Sequence, residues 1–501
     1  MMQKLLEKGV RFTLEAQEEI KKDEKLIEQV VALNKSFITK EDLDEIRNKT
    51  NKLEISKEAP SDLSADSVKV EILREPLFKP IAKEYSSNIQ VTHTRDVTGK
   101  SRSKGEVGDF ISYFRDRYEK LAKMLRGGIR HTTIVDLKDL KHYKDQKVKV
   151  IVSVFDKRET KKGNVMLEVE DLTGTFKVII SKNSSHVEHG KDNNSKEKVW
   201  DKVGYILKDD VIAITGKAME AFLIAEEVEW PDLPVMRERK TTENDLGIVY
   251  ISDIHYGSRY FLSKYFDYFT EWLQGKGEAK DIASKVKYVV VAGDIVDGIG
   301  VYPNQEKELT IKDIYKQYEM FDDFLERVPD YIEVIVGPGN HDAVRRGEPM
   351  PAIPKDLIKN DRIVRIGNPS TVNIEGLKHL IYHGTSMDSL IACLPNASYA
   401  HPEKVMVEYL KRRHLSPIYP GNLIIPEKID YFVIEDEPDV FHSGHVHKNG
   451  YTAYRGTLVI NSGTFQDQTE YQVKQGHIPT PAMVPVYETK YGKLRTLDFK
   501  S

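Results

Sequence analysis

Apolar and polar positions divide the chain into regions of different period. Residues 1 to about 52 carry apolar groups at helical spacing: Leu5, Leu6, Val10, Phe12 and Leu14, then Ile27, Val30, Val31 and Leu33. Thr39 followed by Asp42 resembles a capping box that opens a helix through Ile46. The pattern predicts a small helical N-terminal unit over 1–54, either a plain three- or four-helix bundle or helices packed on a partner. A flexible linker with one helix is expected over 55–137. Residues 55–67 read as linker, and 85–108 are polar, Ser/Thr/Gly-rich and poor in large apolar groups. Phe110 to Leu125 is helical in pattern and is closed by Gly127-Gly128.

Over 138–235 the period changes to two. Val148, Val150, Val152 and Val154 alternate with other residues as in a half-buried strand. Met166 to Glu170 and Thr175 to Ile180 flank the hairpin signal Asp171-Leu172-Thr173-Gly174. A further pair is expected at Val211 to Thr215 and Phe222 to Glu226, after a polar insertion at Ser184 to Lys198. A short all-β module of this kind resembles an oligonucleotide/oligosaccharide-binding (OB) barrel. Aromatic residues for base stacking are sparse in it, so a docking barrel that touches no nucleic acid stands beside the DNA-binding alternative.

From 236 to 501 strands and helices alternate. Ile248 to Ile251, Tyr288 to Ala292, Ile332 to Val336 and Leu380 to Tyr382 are apolar and β-branched, and Phe266 to Leu273 and Ile314 to Val328 have helical spacing. The expectation is a layered α/β domain with buried sheets, following the OB-like barrel in a multidomain chain. No internal repeat or long low-complexity tract interrupts it.

Composition narrows the function. Charged residues are 31% of the 501 and nearly balanced, for a formal net charge of −4, which argues against a DNA-coating protein and leaves a local basic groove open. The single cysteine, Cys393, rules out an intrachain disulfide and a thiolate metal cluster and fits a reducing compartment. Abundant Lys and Glu with so little Cys also fits a thermophile. Met1 to Lys21 lacks the apolar core of a secretory signal, and no run approaches the roughly 18 apolar residues of a bilayer span. A cytoplasmic, nucleoid-associated protein with no membrane partner is expected.

Five short motifs carry the chemistry: Asp253-Ile254-His255, Gly293-Asp294 with Asp297, Gly339-Asn340-His341-Asp342, His383-Gly384 and Gly444-His445-Val446-His447. Four of them follow an apolar run that reads as a strand, and ligands in layered α/β folds collect past strand carboxyl ends. Asp253 and His255, two apart in extended backbone, face the same way and can grip one ion. Gly293 lets the backbone turn closely beside the site. One carboxylate such as Asp294 can bridge two ions about 3.5–4 Å apart. Asn340 offers an amide oxygen, His383 and His445 offer imidazoles, and His447 can reach the other ion. Each motif alone occurs by chance; the ordered set of five points to a two-metal hydrolytic centre.

The ordered set resembles that of the calcineurin-like metallophosphoesterases, over about 250 residues. The resemblance implies one ion held by Asp253, His255, Asp294 and His447 and a second by Asp294, Asn340, His383 and His445. It implies that His341 stabilises the transition state or protonates the leaving oxygen. Asp297 and Asp342 are expected to orient ligands, and His442 to pack in the preceding strand or support the ligands from behind. Mixed oxygen and nitrogen donors suit manganese, iron, nickel or zinc over calcium, with manganese the expected metal.

The order of domains, together with Gly339-Asn340-His341-Asp342-Ala343-Val344-Arg345-Arg346 and Phe441-His442-Ser443-Gly444-His445-Val446-His447, resembles the small-subunit family of archaeal family D DNA polymerases. That family implies 3′–5′ exonuclease proofreading on single-stranded or frayed 3′ ends of DNA, and a large catalytic polymerase subunit as partner. Family members also work with the sliding clamp, although Gln317 to Phe324 lacks the adjacent aromatic pair of a clamp-binding box. Arg345 and Arg346 read equally as phosphate-holding residues or as an ordinary surface pair. Two rivals remain at this stage: a phosphatase of another substrate class, and a non-catalytic polymerase assembly subunit.

Overall fold

A computed structural model describes residues 78–127, 133–182 and 198–500, with Arg11–Phe12, Phe37–Ile38 and Leu43 besides. The chain divides into two units, Met1–Pro76 and Leu77–Ser501. In the first, β1 (Arg11–Phe12) pairs in parallel with β2 (Phe37–Ile38), and Leu43 is helical and buried. Phe12, expected in a helix, is therefore in a strand. The rest of the expected helical unit, the linker at 55–67 and the insertion Ser184 to Lys198 (save Lys198) lie outside the described residues.

The second unit begins with a segment that differs from its expectation. Residues 85–108, read as flexible, contain β3 (Ile89–Val91), which adds an antiparallel edge strand to a sheet of the α/β domain. Asp96 is buried and accepts hydrogen bonds from the Gly367 amide (2.7 Å) and the Ser370 hydroxyl (3.2 Å). Glu427 accepts from the Arg102 amide at 3.0 Å. This segment is short of apolar residues because polar partners more than 250 positions away hold it. Helix α1 (Val107–Gly127) then follows. Its Leu121, Ala122 and Leu125 pack on Ile151, Val211 and Ala213 of the barrel and on Val433 of the α/β domain. Arg117, buried in α1, donates from Nε to Asp430 at 2.7 Å.

A closed five-stranded barrel comes next, formed by β4 (Lys147–Glu159), β5 (Val165–Asp171), β6 (Gly174–Ile180), β7 (Val211–Ala218) and β8 (Leu223–Glu229) in the order β4-β5-β6-β8-β7. The valines of β4 that alternate in the sequence, 148, 150, 152 and 154, all point into its core. Strand β4 pairs with both β5 and β7, and a register shift between Val154 and Asp156 lets it bend around the barrel. Asp210 fastens the barrel to the α/β domain: it accepts from Arg412 (3.0 Å) and from the Trp230 indole (3.0 Å).

The α/β domain is a sandwich of two six-stranded sheets. Strands β9 (Gly247–Ile251), β10 (Val286–Ala292), β11 (Glu333–Gly337) and β12 (Ile363–Arg365) are parallel. The second sheet is built on β13 (Ser370–Ile374), β14 (Leu377–Ile381), β15 (Val440–Ser443), β16 (Asn449–Tyr454) and β17 (Thr457–Ser462), with β3 at its edge. Strands β18 (Met483–Glu488) and β19 (Lys493–Asp498) complete the first sheet beside β9. Every residue of β9 and β10 is buried, as expected of strands covered on both faces.

Between the sheets, Ile248, Tyr250, Val290 and Ile335 meet Val372, Ile381, Val440 and Ile460. Helices α2 (Ser263–Leu273), α3 (Lys280–Ala283) and α4 (Ile314–Arg327) cover the outer face of the first sheet. Helices α5 (Met387–Cys393) and α6 (Pro402–Arg412) cover the second, and a short α7 (Glu470–Lys474) precedes β18. Gln317, the first residue of the segment considered for clamp binding, is buried in α4 and hydrogen-bonds Gly298 and Ile311. No helix among the described residues is long and apolar enough to cross a membrane.

Candidate metal centre

All five motifs leave carboxyl ends of central strands: Asp253 follows β9, Asp294 follows β10, Asn340 follows β11, His383 follows β14 and His445 follows β15. The last lead-in strand is Val440-Phe441-His442-Ser443, whose two polar residues mask the apolar run. Both sheets thus deliver loops to one rim of the sandwich, and residues up to 194 positions apart meet there.

The loops are bent tightly. Asp253, His255, Asp294, His445 and His447 all have left-handed backbone, with φ of 51°, 56°, 51°, 70° and 54°. Such conformations cost non-glycine residues about 1–3 kcal/mol each and persist only where their surroundings fix them. Hydrogen bonds supply that here: the His445 amide donates to Asp253 at 2.9 Å and the His341 amide to Asp294 at 2.8 Å. Glycine is required at Gly293, where φ is 87° and a Cβ would come within 2.5 Å of the Gly339 nitrogen. Cβ atoms at Gly339 and Gly444 would collide with the carboxylates of Asp294 and Asp253.

Seven side chains converge. Around Asp253, His447 Nε2 lies 3.4 Å from its Oδ1 and 3.1 Å from His255 Nε2. His255 Nε2 is 3.9 Å from Asp294 Oδ2. On the other side of Asp294, His383 Nε2 is 3.2 Å from the same Oδ2 and 3.1 Å from Asn340 Oδ1. His445 Nδ1 is also 3.1 Å from that amide oxygen. Two donors each about 2.1 Å from one ion lie roughly 3.0–3.4 Å apart, so the spacings of 3.1–3.4 Å fit the edges of a coordination shell, and the 3.9 Å between His255 and Asp294 is wider than such an edge. The opposed His255 and His447 nitrogens point the same way, since two acceptor nitrogens at 3.1 Å repel unless a proton or cation lies between them. Asp253 with His255 and His447, and Asp253 with Asp294 and His383, form groups able to hold a cation.

The far nitrogens of the histidines are anchored. His255 Nδ1 meets Asp297 Oδ1 at 3.1 Å, and His383 Nδ1 meets the Ala292 carbonyl at 2.7 Å. Asp297 also accepts from Gln305 (2.9 Å) and Gln466 (3.0 Å). Such outer partners fix ring orientation and tautomer. Asp342 does not face the cluster directly: it accepts from the Gly339 amide (2.8 Å) and Tyr318 (3.0 Å) and so braces the loop that carries Asn340.

Electrostatics follow from this crowding. Burial acts to raise Asp294, but His383, His341 and His255 outweigh it and hold the carboxyl well below its ordinary range. Burial acts to lower His383, and Asp294 and Asp253 reverse it, carrying the imidazole up to about 10. Burial wins at His447, which falls to about 4 despite Asp253. Burial and the neighbouring Asp294 push Asp342 up to about 7. His341 is lowered by burial, with Asp294 pulling the other way. Its Nδ1 donates to the Asp297 carbonyl at 2.8 Å, so Nε2 is the free nitrogen of the ring.

A cleft of ≈420 Å³ opens onto these residues, within the range of ligand clefts. Besides site residues it is lined by Tyr302, Asp388, Tyr399, Gln466, Tyr471 and Gln472. Two of these touch ligand candidates: Asp388 meets His445 Nε2 at 3.2 Å, and the Gln472 side-chain amide meets His447 Nδ1 at 2.9 Å. Neither belongs to a metal motif. Gln472 was nonetheless detectable as the last residue of the capping box Thr469-Glu470-Tyr471-Gln472, which opens α7. Asp388, five residues after His383, gives no local signal.

The phosphate-holding alternative for Arg345 and Arg346 does not match their surroundings. Arg345 donates to the Pro349 carbonyl and pairs with Glu427 at 3.2 Å, and Arg346 donates to the Gly300 carbonyl. Neither lines the cleft. His442 sits between the sheets, with Nε2 3.0 Å from the Ser462 hydroxyl and its ring edge-on to Tyr250.

A family model for calcineurin-like phosphoesterases matches residues 246–449, which contain every one of these candidate ligands. Most of the chain is similar to proteins named DNA polymerase II small subunit. That of Archaeoglobus fulgidus is 41% identical over 418 residues, covering 82% of this chain and 81% of the relative. That of Methanocaldococcus jannaschii is 39% identical, covering 82% and 68%. That of Methanothermobacter thermautotrophicus is 37% identical, covering 85% and 86%. The resemblance noted in the sequence motifs therefore holds across most of the chain, which belongs to the archaeal DNA polymerase II small-subunit family and carries within it a calcineurin-like phosphoesterase domain.

Proposed function

We propose that the chain is the 3′–5′ exonuclease subunit of a replicative DNA polymerase, hydrolysing phosphodiesters at single-stranded or frayed DNA ends with two divalent ions. The observation that carries this is the convergence of a complete oxygen and nitrogen donor set, at 3.1–3.9 Å spacings, on a shared Asp294. Asp253, His255, Asp294 and His447 would hold one ion, and Asp294, Asn340, His383 and His445 the other. The mixture of carboxylate, amide and imidazole suits manganese, with iron, nickel or zinc next. The left-handed backbone of Asp253, His255, Asp294, His445 and His447, on three of the five loops, supports this reading over a role in assembly alone.

When bound, two such ions supply charge neutralisation of the phosphodiester, a lowered pKa for the attacking water and stabilisation of the departing oxygen. The protein groups do the rest. His341 keeps Nδ1–H on the Asp297 carbonyl, so in the imidazolium form its Nε2–H would give its proton to the departing sugar oxygen and leave a neutral ring. Asp297 holds His255 in a single orientation. A mismatched end frays at lower cost than a paired one, which provides selectivity without reading sequence.

The partner proposed is the large catalytic polymerase subunit. The barrel is read as OB-like: its first strand pairs with the second and fourth, and its third pairs in parallel with its fifth. Digestion of single strands labelled at either end, with manganese, tests the proposal. Mononucleotides released from the 3′ end by the wild type and not by His341→Ala support it. Intact strands support the assembly role, and turnover of a phosphomonoester with intact strands supports a phosphatase.

A further inference from the structure

The cleft beside the candidate metal centre has an unusual lining for a nucleic-acid site. No lysine or arginine is among the described residues that form it. A groove that follows a strand by its phosphates needs cations along its wall. Here Glu308 and Asp388 add negative charge instead. Attraction for phosphate is thus confined to the metal positions. The remaining surface offers flat rings (Tyr302, Tyr399, Tyr471) and side-chain amides (Gln466, Gln472, Gln475), groups that suit a nucleobase, whose faces stack and whose edges accept and donate hydrogen bonds.

Two of the rings are placed for this. The Tyr399 hydroxyl donates to Asp388 at 3.0 Å and its ring meets His477 edge-on at 5.4 Å, so its plane is fixed. Asp388 in turn contacts His445, which ties that ring to the second half of the metal cluster. Tyr471 is 68% exposed and its hydroxyl has no partner among the described residues. It projects from the first turn of α7, whose capping box and Gln472 contact with His447 fix its backbone beside the first half. An exposed aromatic ring on an anchored turn offers a face that a stacked base would bury.

We infer that Tyr399 and Tyr471 hold the base of the terminal nucleotide, so that the site grips its substrate by nucleobase stacking beside the scissile phosphate and not by the backbone. This rests on the nuclease proposal above and adds a substrate-binding role for two residues outside the metal motifs.

The test uses the full chain with manganese and two single strands of equal length, one ending in an ordinary 3′ nucleotide and one in an abasic 3′ residue. kcat/KM for removal of the terminal unit is measured for the wild type, Tyr471→Ala, Tyr471→Phe and Tyr399→Ala, with manganese affinity measured by calorimetry in each. The wild type is expected to prefer the base-bearing end by about 5- to 100-fold, the scale of one stacked base. Tyr471→Ala and Tyr399→Ala shrink that preference by slowing the base-bearing strand more than the abasic one, while Tyr471→Phe keeps it. Equal removal of both ends by the wild type overturns the inference, as does a preference unchanged in both alanine variants. Degradation of neither strand overturns the nuclease proposal itself.

Discussion

Histidine serves two opposite purposes a few residues apart in this protein. Inside the sandwich, His379 on β14 and His442 on β15 are buried among apolar residues and touch Tyr250. Just beyond the same strands, His383 and His445 turn toward the cluster around Asp294. All are buried or nearly so, but their surroundings differ. Burial lowers His379 to about 4 and His442 to about 3, with no carboxylate close enough to compensate. Carboxylates lift His383 to about 10 against the same burial. Residue type therefore does not mark a candidate ligand; position past the strand end, beside a shared carboxylate, does.

Removing the shared carboxylate should break this contrast most completely. Asp294→Ala takes a donor from both half-sites, and hydrolysis is expected to fall by about three orders of magnitude or more, as when one member of a unit that acts together is lost. Calorimetry should then show fewer than two ions bound. His341→Ala should cost about 10²- to 10⁴-fold in turnover while leaving metal stoichiometry intact, which separates proton transfer from ligation. Asp297→Ala should weaken metal binding by about 10- to 100-fold, because His255 loses the partner that orients it.

The sandwich histidines predict a pH effect. Their folded pKa values are depressed, so below the unfolded value of about 6.5 the unfolded chain takes up protons that the folded chain refuses. Stability is thus full above pH 6.5 and falls as pH drops toward 4, by up to about 1.4 kcal/mol per pH unit for each histidine. Chemical denaturation of metal-free protein across that range should show the slope, and His379→Gln should flatten it. Least affected should be Arg345→Ala, whose contacts are with Glu427 and the Pro349 carbonyl: turnover should match the wild type, with only a loss of stability in a melting curve.

What was legible in the sequence follows the same division. Asp253, His255, Asp294, Asn340, His341 and His383 stand out because they lie at the ends of apolar runs, His445 and His447 because they are paired donors beside Gly444, and the structure brings all of them together. Gln466 and Asp388 did not, because their contacts with Asp297 and His445 join loops far apart in sequence and leave no periodic trace. Residues 85–108 were misread for the same reason. Asp96 looks like a linker residue until Gly367 and Ser370 are found against it. The alternating valines of the barrel were readable because half-buried strands imprint a period of two.

Anomalous diffraction from crystals soaked in manganese tests the central claim most directly. Two peaks are predicted, about 3.5–4 Å apart on either side of the Asp294 carboxylate, one against His255 and His447 and the other against His383 and His445. A single peak away from Asp294, or no peak at that rim at full soaking, would contradict the account.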